Sequence, residues 1–147
     1  MNSIFMKVLF FLSFPLAVLF SNRAEAQNET PRFYFCESYK DGKEINVSNT
    51  FSTGYLTAIL DIRHMETTIG ENTLALEITM IADDKGFYDV EQVLDLISFV
   101  VDPNWDYIYF TEESRLKFDK PGVYRVMVLK EPNTQIAGGL LKITSKK

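Results

Sequence analysis

The sequence has very few of the residues that most catalytic and metal sites need, since it contains one cysteine, Cys36, and one histidine, His64. A single cysteine forms no intrachain disulfide, and this pair cannot supply the usual His and Cys ligands of a zinc site. Any Ser-His-Asp or Cys-His catalysis would have to use His64, and no Gly-x-Ser-x-Gly nucleophile motif is present. A Walker loop and a dinucleotide-binding fingerprint are also absent. We therefore predict a protein that is not an enzyme and that needs no cofactor.

Long apolar runs are equally scarce. The run from Val8 to Phe20 follows Lys7 and is too short to span a bilayer, which needs roughly 20 apolar residues. After it comes a polar segment with the small-residue pair Ala24-x-Ala26. A charge, a short apolar core and a small-residue site are typical of a secretory signal peptide. We predict a signal peptide over residues 1–26 rather than an uncleaved anchor, and secretion of residues 27–147 to the periplasm or the extracellular space without a transmembrane anchor.

Positive charge is in the minority, with 15 basic against 20 acidic residues and a net charge of −5. An acidic protein repels the phosphate backbone, so we expect no nucleic-acid partner. The length of the segment 27–147 is that of one domain, and such a domain buries a sizeable core without disulfides or metals.

Short β-branched and aromatic runs recur along the chain, separated by Gly, Pro, Asn and Asp. This pattern predicts an all-β fold, a single antiparallel β-sandwich of about seven to nine strands. Residues 55–63 and 74–81 alternate apolar and polar side chains, as half-buried strands do. Residues 122–130 and 135–144 are expected to form a hairpin, in which Gly138-Gly139 indicates a bulge or close packing. Apolar residues at helical spacing near 90–95 predict a helical turn that leads into a strand at 97–101.

The end of the chain resembles a known architecture. Phe118, the segment Lys120-Pro121-Gly122-Val123-Tyr124-Arg125-Val126 and the closing strand Leu140–Ile143 resemble the end of Ig-like β-sandwich modules in exported bacterial proteins. The resemblance covers residues 118–144, and Tyr124 is similar to a tyrosine that closes the core of those modules near a strand corner. It implies an Ig-like fold and an exported protein. Such modules include adhesin repeats, secretion tags, filament subunits and accessory domains, so no functional residue is carried over.

Two groups of residues have the chemistry of metal ligands. Asp83, Asp84 and Asp89 offer carboxylates for calcium, but their spacing does not fit an EF-hand loop and adjacent carboxylates in a turn are usually solvated. His64 and Met65 offer imidazole and thioether ligands for copper, although such neighbours are more often a strand end and a core methionine. We predict no metal site.

Two further features bear on an exported protein. Cys36 follows Phe33-Tyr34-Phe35, a setting that favours burial in a strand over an intermolecular bridge. Asn28 and Asn46 each begin an Asn-x-Ser/Thr triplet, the acceptor pattern for N-glycosylation. The sequence does not decide whether either asparagine is modified.

The stretch at residues 105–110 concentrates aromatic side chains. By strand alternation Trp105, Tyr107 and Tyr109 share one face, and Asp106, Ile108 and Phe110 share the other. If Ile108 and Phe110 face the core, the three rings form an exposed platform for a protein chain or a sugar. If the tyrosines face inward, they are core residues, and a third arrangement covers both faces with a loop or an edge contact.

These observations favour a binding role over catalysis. We predict an exported, non-catalytic protein-binding or structural module of the cell envelope or extracellular space, which binds a protein partner or a second copy of itself. One alternative is a carbohydrate-binding module that uses the same aromatic row. Another is a small exported hydrolase or metal-binding protein.

Overall fold

A computed structural model describes residues 30–86, 92–111 and 116–146. The predicted signal peptide and the candidate residues Asn28 and Asp89 lie outside these ranges. In the described part of the chain every regular element is a β-strand except one 3-10 turn, Arg63–Met65, so the all-β prediction is confirmed.

The described residues form twelve strands, more than the seven to nine expected. Seven have four or more residues: β1 (Arg32–Cys36), β6 (Thr57–Asp61), β7 (Thr73–Asp83), β8 (Gln92–Val100), β9 (Tyr107–Phe110), β11 (Gly122–Lys130) and β12 (Thr134–Thr144). Five are shorter: β2 (Ser38–Lys40), β3 (Lys43–Ile45), β4 (Thr50–Ser52), β5 (Gly54–Tyr55) and β10 (Lys117–Phe118). Segments of two or three residues are too short to show a full alternating pattern.

The long strands form two sheets. The larger has the order β4-β12-β11-β7-β8, in which β12 and β4 are parallel and all other neighbours are antiparallel. The smaller is antiparallel with the order β1-β6-β9. The predicted hairpin is confirmed as β11 and β12. The remaining short strands make two pairs, β2 with β3 and β5 with β10.

One hydrophobic cluster joins the inward faces of both sheets. It includes Leu60 and Phe110 from the smaller sheet and Leu76, Val126 and Leu141 from the larger. Because the side chains of a strand alternate between its faces, every second residue of these strands enters the cluster.

Gly139 allows the two sheets to approach closely. A Cβ atom at this position would lie 3.2 Å from the ring of Phe35 and 3.4 Å from that of Phe33. The predicted close packing at Gly138-Gly139 is therefore confirmed. The register between β11 and β12 also shifts between Val128 and Leu129, a few residues from this pair.

The strand β6 is buried on both faces, and the prediction that it is half buried was wrong. Its residues Thr57, Ile59 and Asp61 point away from the core cluster and are nevertheless buried. The hairpin formed by β2 and β3 lies over the outer face of the smaller sheet and contacts side chains on the strands either side of β6, and Arg63 hydrogen-bonds the Asp61 carboxylate.

The predicted helical turn at residues 90–95 was also wrong from Gln92 onward, where β8 pairs antiparallel with β7; residues 87–91 lie outside the described ranges. The register shifts between Ile78 and Thr79, so that Leu94 has no residue opposite it. This bulge interrupts the two-residue alternation of side chains along β8, a strand that also exposes apolar side chains. Its apolar residues therefore recur at intervals that resemble those of a helix.

Candidate functional site

The two faces of β9 differ in burial. Ile108 and Phe110 point into the hydrophobic cluster, and the ring of Phe110 is only 1% exposed. Tyr109 points outward and is 49% exposed, and Trp105, just before the strand, is 48% exposed. Ile108 and Phe110 therefore face the core, as in the first of the three arrangements. The predicted row of three exposed rings is not complete, because Tyr107 is only partly exposed and its hydroxyl bonds Glu44 of the β2–β3 hairpin.

The hairpin β2–β3 covers part of this outer face. The ring of Tyr39 stacks on Tyr109 with a centroid separation of 4.4 Å and an interplanar angle of 16°. Its centroid is also 6.1 Å from that of Tyr107, at a tilt of 42°. Tyr39 therefore occupies one face of Tyr109, while the exposed remainder of Tyr109 stays accessible to solvent.

Glu44 attaches the hairpin to the sheet. Its Oε1 atom accepts hydrogen bonds from the hydroxyl of Tyr34 at 2.7 Å and from the hydroxyl of Tyr107 at 2.6 Å. Both distances lie at the short end of the range for O–H···O hydrogen bonds. One carboxylate thus connects β3 with both outer strands of the smaller sheet.

Nothing in the local sequence distinguishes Glu44. It is one of 20 acidic residues, and 63 residues separate it from Tyr107. One signal was available. Tyrosines on β1 and β9 place their hydroxyls on the same face of the sheet, and partly buried hydroxyls need a hydrogen-bond partner.

An arginine extends the cluster beside Tyr107. The Nε and Nη2 atoms of Arg63 donate to the two carboxylate oxygens of Asp61 at 2.9 and 2.8 Å, and the backbone N–H of Arg63 donates to Oδ1 at 3.1 Å. These hydrogen bonds hold the pKa of the Asp61 carboxyl below its usual value. The guanidinium carbon lies 4.4 Å from the centroid of the Tyr107 ring, a cation–π contact.

The Glu44 cluster should make the folded protein sensitive to alkaline pH. Burial, reinforced by the hydrogen bond to Glu44, raises the pKa of Tyr34 and of Tyr107 above the usual value of 10. The native state therefore retains protons that the unfolded state releases above pH 10, and stability falls as pH rises through that range. We expect urea unfolding between pH 7 and 11 to show this decline.

A double variant, Tyr34→Phe with Tyr107→Phe, should show a smaller decline, because it removes the two phenols that titrate. Tyr55→Phe on the exposed surface is the matched control and should leave the pH dependence unchanged. Equal slopes for the double variant and the parent protein would contradict this account.

The candidate copper ligands do not converge on one point. Nε2 of His64 is 3.0 Å from the carbonyl oxygen of Thr30, whereas Met65 is partly buried against the hydrophobic cluster. Of the calcium candidates, Asp83 ends β7 and Asp84 lies in the turn that follows, where Oδ1 of Asp83 accepts the backbone N–H of Lys85 at 2.9 Å. Within the described ranges no three His, Cys, Asp or Glu side chains gather in a way that could hold a metal ion.

The environments of Cys36 and Asn46 are also defined. Cys36 is fully buried and its Sγ donates to the carbonyl oxygen of Ser38 at 3.4 Å, so the prediction of burial is confirmed. Burial raises the pKa of this thiol. Asn46 is exposed, and its Nδ2 donates to Oε2 of Glu37 at 2.6 Å.

Comparison of the chain with protein-family models, with curated proteins and with solved structures gives no match. Among the residues that the structure describes, no helix is long and apolar enough to cross a membrane.

Proposed function

We propose that this protein is an exported, non-catalytic Ig-like module that binds a protein partner through an aromatic surface formed by Tyr39, Tyr109 and Trp105. The observation that carries the proposal is that Tyr109, on the outer face of the smaller sheet, and Trp105, just before β9, are each about half exposed. Tyrosine and tryptophan are enriched at protein interfaces and at their energetic centres, because each combines a large apolar area with a polar tip.

The strand order supports the Ig-like part of the proposal. An Ig sandwich places strands A, B and E together in one sheet and strands G, F and C in the other, and variable-type domains add C′ beside C. The chain has the same neighbours in the same sequence order. The correspondence is β1, β6 and β9 with A, B and E, and β12, β11, β7 and β8 with G, F, C and C′.

Tyr124 supports the same assignment. It lies near the start of β11, its ring is buried, and its hydroxyl donates to the carbonyl oxygen of Lys120 at 2.7 Å. A tyrosine near the start of strand F that hydrogen-bonds backbone a few residues upstream is a hallmark of Ig domains. The ring of Phe118 packs edge-on against it at 5.0 Å.

The polar groups beside the aromatic surface favour a protein partner over a sugar. A glycan site needs side chains that are free to hydrogen-bond sugar hydroxyls, as well as a ring on which the sugar stacks. Here Oε1 of Glu44 already accepts two tyrosine hydroxyls, and both carboxylate oxygens of Asp61 accept donors from Arg63. One face of Tyr109 is occupied by Tyr39. Carbohydrate binding is therefore the second candidate.

The same contacts prepare the surface for binding. Association is weakened when flexible side chains must be ordered, so rings that are already held in place contribute more to affinity. Tyr39 and Tyr109 hold each other by stacking, and the hairpin that carries Tyr39 is fixed through Glu44.

Site-specific photo-crosslinking tests the proposal. A photoreactive amino acid at Trp105, introduced in the native host, should yield a defined protein adduct, while the same group at Leu140 on the opposite sheet should not. In binding measurements with the partner identified in this way, Trp105→Ala and Tyr109→Ala should each weaken affinity by roughly tenfold or more, because buried interface aromatics are frequent hot spots.

Both side chains are half exposed, so these variants should keep the fold, which circular dichroism verifies. Unchanged affinity in both would contradict the proposal. A glycan that quenches the fluorescence of Trp105 on titration, together with no protein adduct, would favour the carbohydrate-binding alternative.

A further inference from the structure

The strand β9 forms an edge of the smaller sheet. It pairs with β6 and with no other strand that the structure describes. The backbone N–H of Ile62 donates to the carbonyl oxygen of Asp106, so this is a hydrogen-bonded pair. Along an antiparallel ladder such pairs alternate with pairs that are not hydrogen-bonded. On β9 the second kind falls at Tyr107 and Tyr109, whose backbone N–H and C=O groups therefore point away from β6.

The outward backbone groups of these two tyrosines are unpaired. A neighbouring loop pairs only with the segment before β9, where the N–H of Ile69 donates to the carbonyl oxygen of Trp105 at 2.8 Å and that of Gly70 to Pro103 at 2.9 Å. Beyond this loop the two tyrosines make no outward backbone hydrogen bond to any group in the described ranges. Charges, proline and bulges usually block a sheet edge, and β9 has none of them.

The inner side of this edge is apolar. The edge strands β8 and β9 lie on the same side of the sandwich, because the inward rings of Phe99 and Phe110 contact each other with a centroid separation of 5.0 Å. Phe99 packs against the hydrophobic cluster but is only partly buried. On an added strand the residue opposite Ile108 would share its inward face. An apolar side chain there would extend the inner layer on the side where Phe99 is incompletely covered.

The outer side of the edge is the aromatic surface. Residues of an added strand opposite Tyr107 and Tyr109 would lie on the outer face, next to the half-exposed ring of Tyr109. Aromatic and β-branched residues form the favourable cross-strand pairs with aromatic ones. The chain carries a net charge of −5, which favours a neutral or basic segment. A fitting strand therefore has three consecutive β-branched or aromatic residues and no excess of acidic ones.

We infer that the protein partner binds by strand addition, in which an extended segment of the partner pairs antiparallel with β9 through the backbone groups of Tyr107 and Tyr109. This inference rests on the proposed function and names the binding mode of the same aromatic surface. Addition of a peptide strand to an open sheet edge is a recurrent mode of recognition, in which main-chain hydrogen bonds give affinity and side chains give specificity. Since β9 is short, the aromatic surface has to supply the rest of the contact.

The loop beside β9 favours a peptide over a second copy of this chain. In an antiparallel pairing of two β9 strands, Tyr107 would lie opposite Tyr109 of the other copy, and Trp105 would lie opposite Thr111 of the other copy. The carbonyl oxygen of Trp105 already accepts the N–H of Ile69 on that side, so the second chain would run into this loop. A peptide that ends or turns beside Tyr107 avoids it.

A random-peptide library displayed on phage supplies the probe. Selection on the folded protein should enrich peptides with three consecutive β-branched or aromatic residues. Tyr109→Ala removes the ring and keeps the backbone N–H, whereas Tyr109→Pro removes both. Proline is tolerated on an edge strand where its nitrogen faces outward, and circular dichroism verifies the fold of both variants. The enriched peptides should bind Tyr109→Pro about tenfold more weakly than Tyr109→Ala, the effect of losing one hydrogen bond and obstructing the edge.

Amide hydrogen exchange on the unaltered protein tests the same backbone groups without a substitution. Unpaired N–H groups exchange rapidly, and a hydrogen bond protects them. A saturating concentration of an enriched peptide should slow exchange at Tyr107 and Tyr109 by about tenfold or more. The exposed turn at residues 131–134 belongs to the larger sheet and serves as the control, where exchange should not change.

Equal affinities of the enriched peptides for the two Tyr109 variants would overturn the inference. Unchanged exchange at the two tyrosines would do the same, as would a selection that enriches no peptide. A monomer–dimer equilibrium of the protein alone that Tyr109→Pro abolishes and Tyr109→Ala does not would mean that a second copy takes the edge. Photo-crosslinking at Trp105 reports on the proposed function separately: a defined protein adduct beside any of these negative results keeps partner binding and rejects strand addition alone.

Discussion

Phe110→Ala is expected to lower the free energy of unfolding by about 3 to 5 kcal/mol, whereas Tyr109→Ala, one residue earlier, lowers it by about 1.5 kcal/mol or less. Phe110 is 1% exposed and packs edge-on against Phe99 with a centroid separation of 5.0 Å. Truncation removes its buried surface and leaves a cavity between the sheets. Tyr109 loses its stacking on Tyr39 but opens no cavity in the core.

Urea unfolding of both variants, followed by circular dichroism, provides the measurement. The pair is informative because the two residues are adjacent on one strand and differ mainly in the face that they occupy. Phe110→Leu is an intermediate control, since it keeps most of the apolar volume and should be considerably milder than alanine. A larger loss for Tyr109→Ala than for Phe110→Ala would mean that β9 is inverted, and the proposed binding surface would then be core.

Gly122→Ala is expected to destabilise the fold by about 2 to 5 kcal/mol, a large effect for the addition of one methyl group. Gly122 begins β11 with φ near +156°, and an added Cβ would lie 2.5 Å from the backbone oxygen of Ala82 and 2.5 Å from the terminal methyl of Met80. The methionine side chain can move aside. The backbone oxygen belongs to the adjacent strand and cannot move without distorting the sheet.

Gly42→Ala separates steric overlap from backbone strain. Gly42 also has a positive φ, +74°, in the β2–β3 turn, but an added Cβ there has no neighbour within 4 Å. It should cost about 1 to 2 kcal/mol from strain alone. Thermal or urea unfolding of both variants gives the comparison, and equal losses would show that the close approach of β7 to Gly122 is unimportant.

The close approach of β7 also explains why one position of the segment Lys120–Val126, on which the Ig-like resemblance rests, is a glycine. The glycine allows β11 to start directly against β7, and two residues later Tyr124 enters the core with its hydroxyl bonded to Lys120. The spacing of this segment thus has local structural causes.

Local patterns predicted β7 and β11, two inner strands of the larger sheet, well. Strand β11 has the predicted bounds, and Leu74, Leu76 and Ile78 of β7 face the core as their alternation indicated. Both strands lie inside the sheet, with one face in the core and the other toward solvent. For such strands the two-residue alternation is nearly sufficient to predict which side chains face the core and which face solvent.

The errors occurred where contacts between distant segments decide burial. Thr57 and Asp61 on β6 are polar and alternate as exposed residues would, yet both are buried. The hairpin from residues 38–45 contacts tyrosines on the strands either side of β6, and Arg63 hydrogen-bonds the Asp61 carboxylate. At the other sheet, β8 lies at an edge and carries a bulge, so its apolar residues follow no strand period. Glu44 was not identified because its two partners belong to strands that precede and follow it by 10 and 63 residues.

The amino-acid sequence by itself determined the all-β class, the closing hairpin, the turns that separate the strands and the two sets of residues on each regular strand, because side-chain alternation and turn chemistry are local properties of the backbone. Only the tertiary structure decided that Tyr109 and Trp105 are exposed, that the β2–β3 hairpin covers part of the smaller sheet, and that β8 pairs with β7 alone among the described strands. Alternation assigns the residues of a strand to two faces but does not show which face is buried. That depends on the sheet or hairpin that packs against the strand.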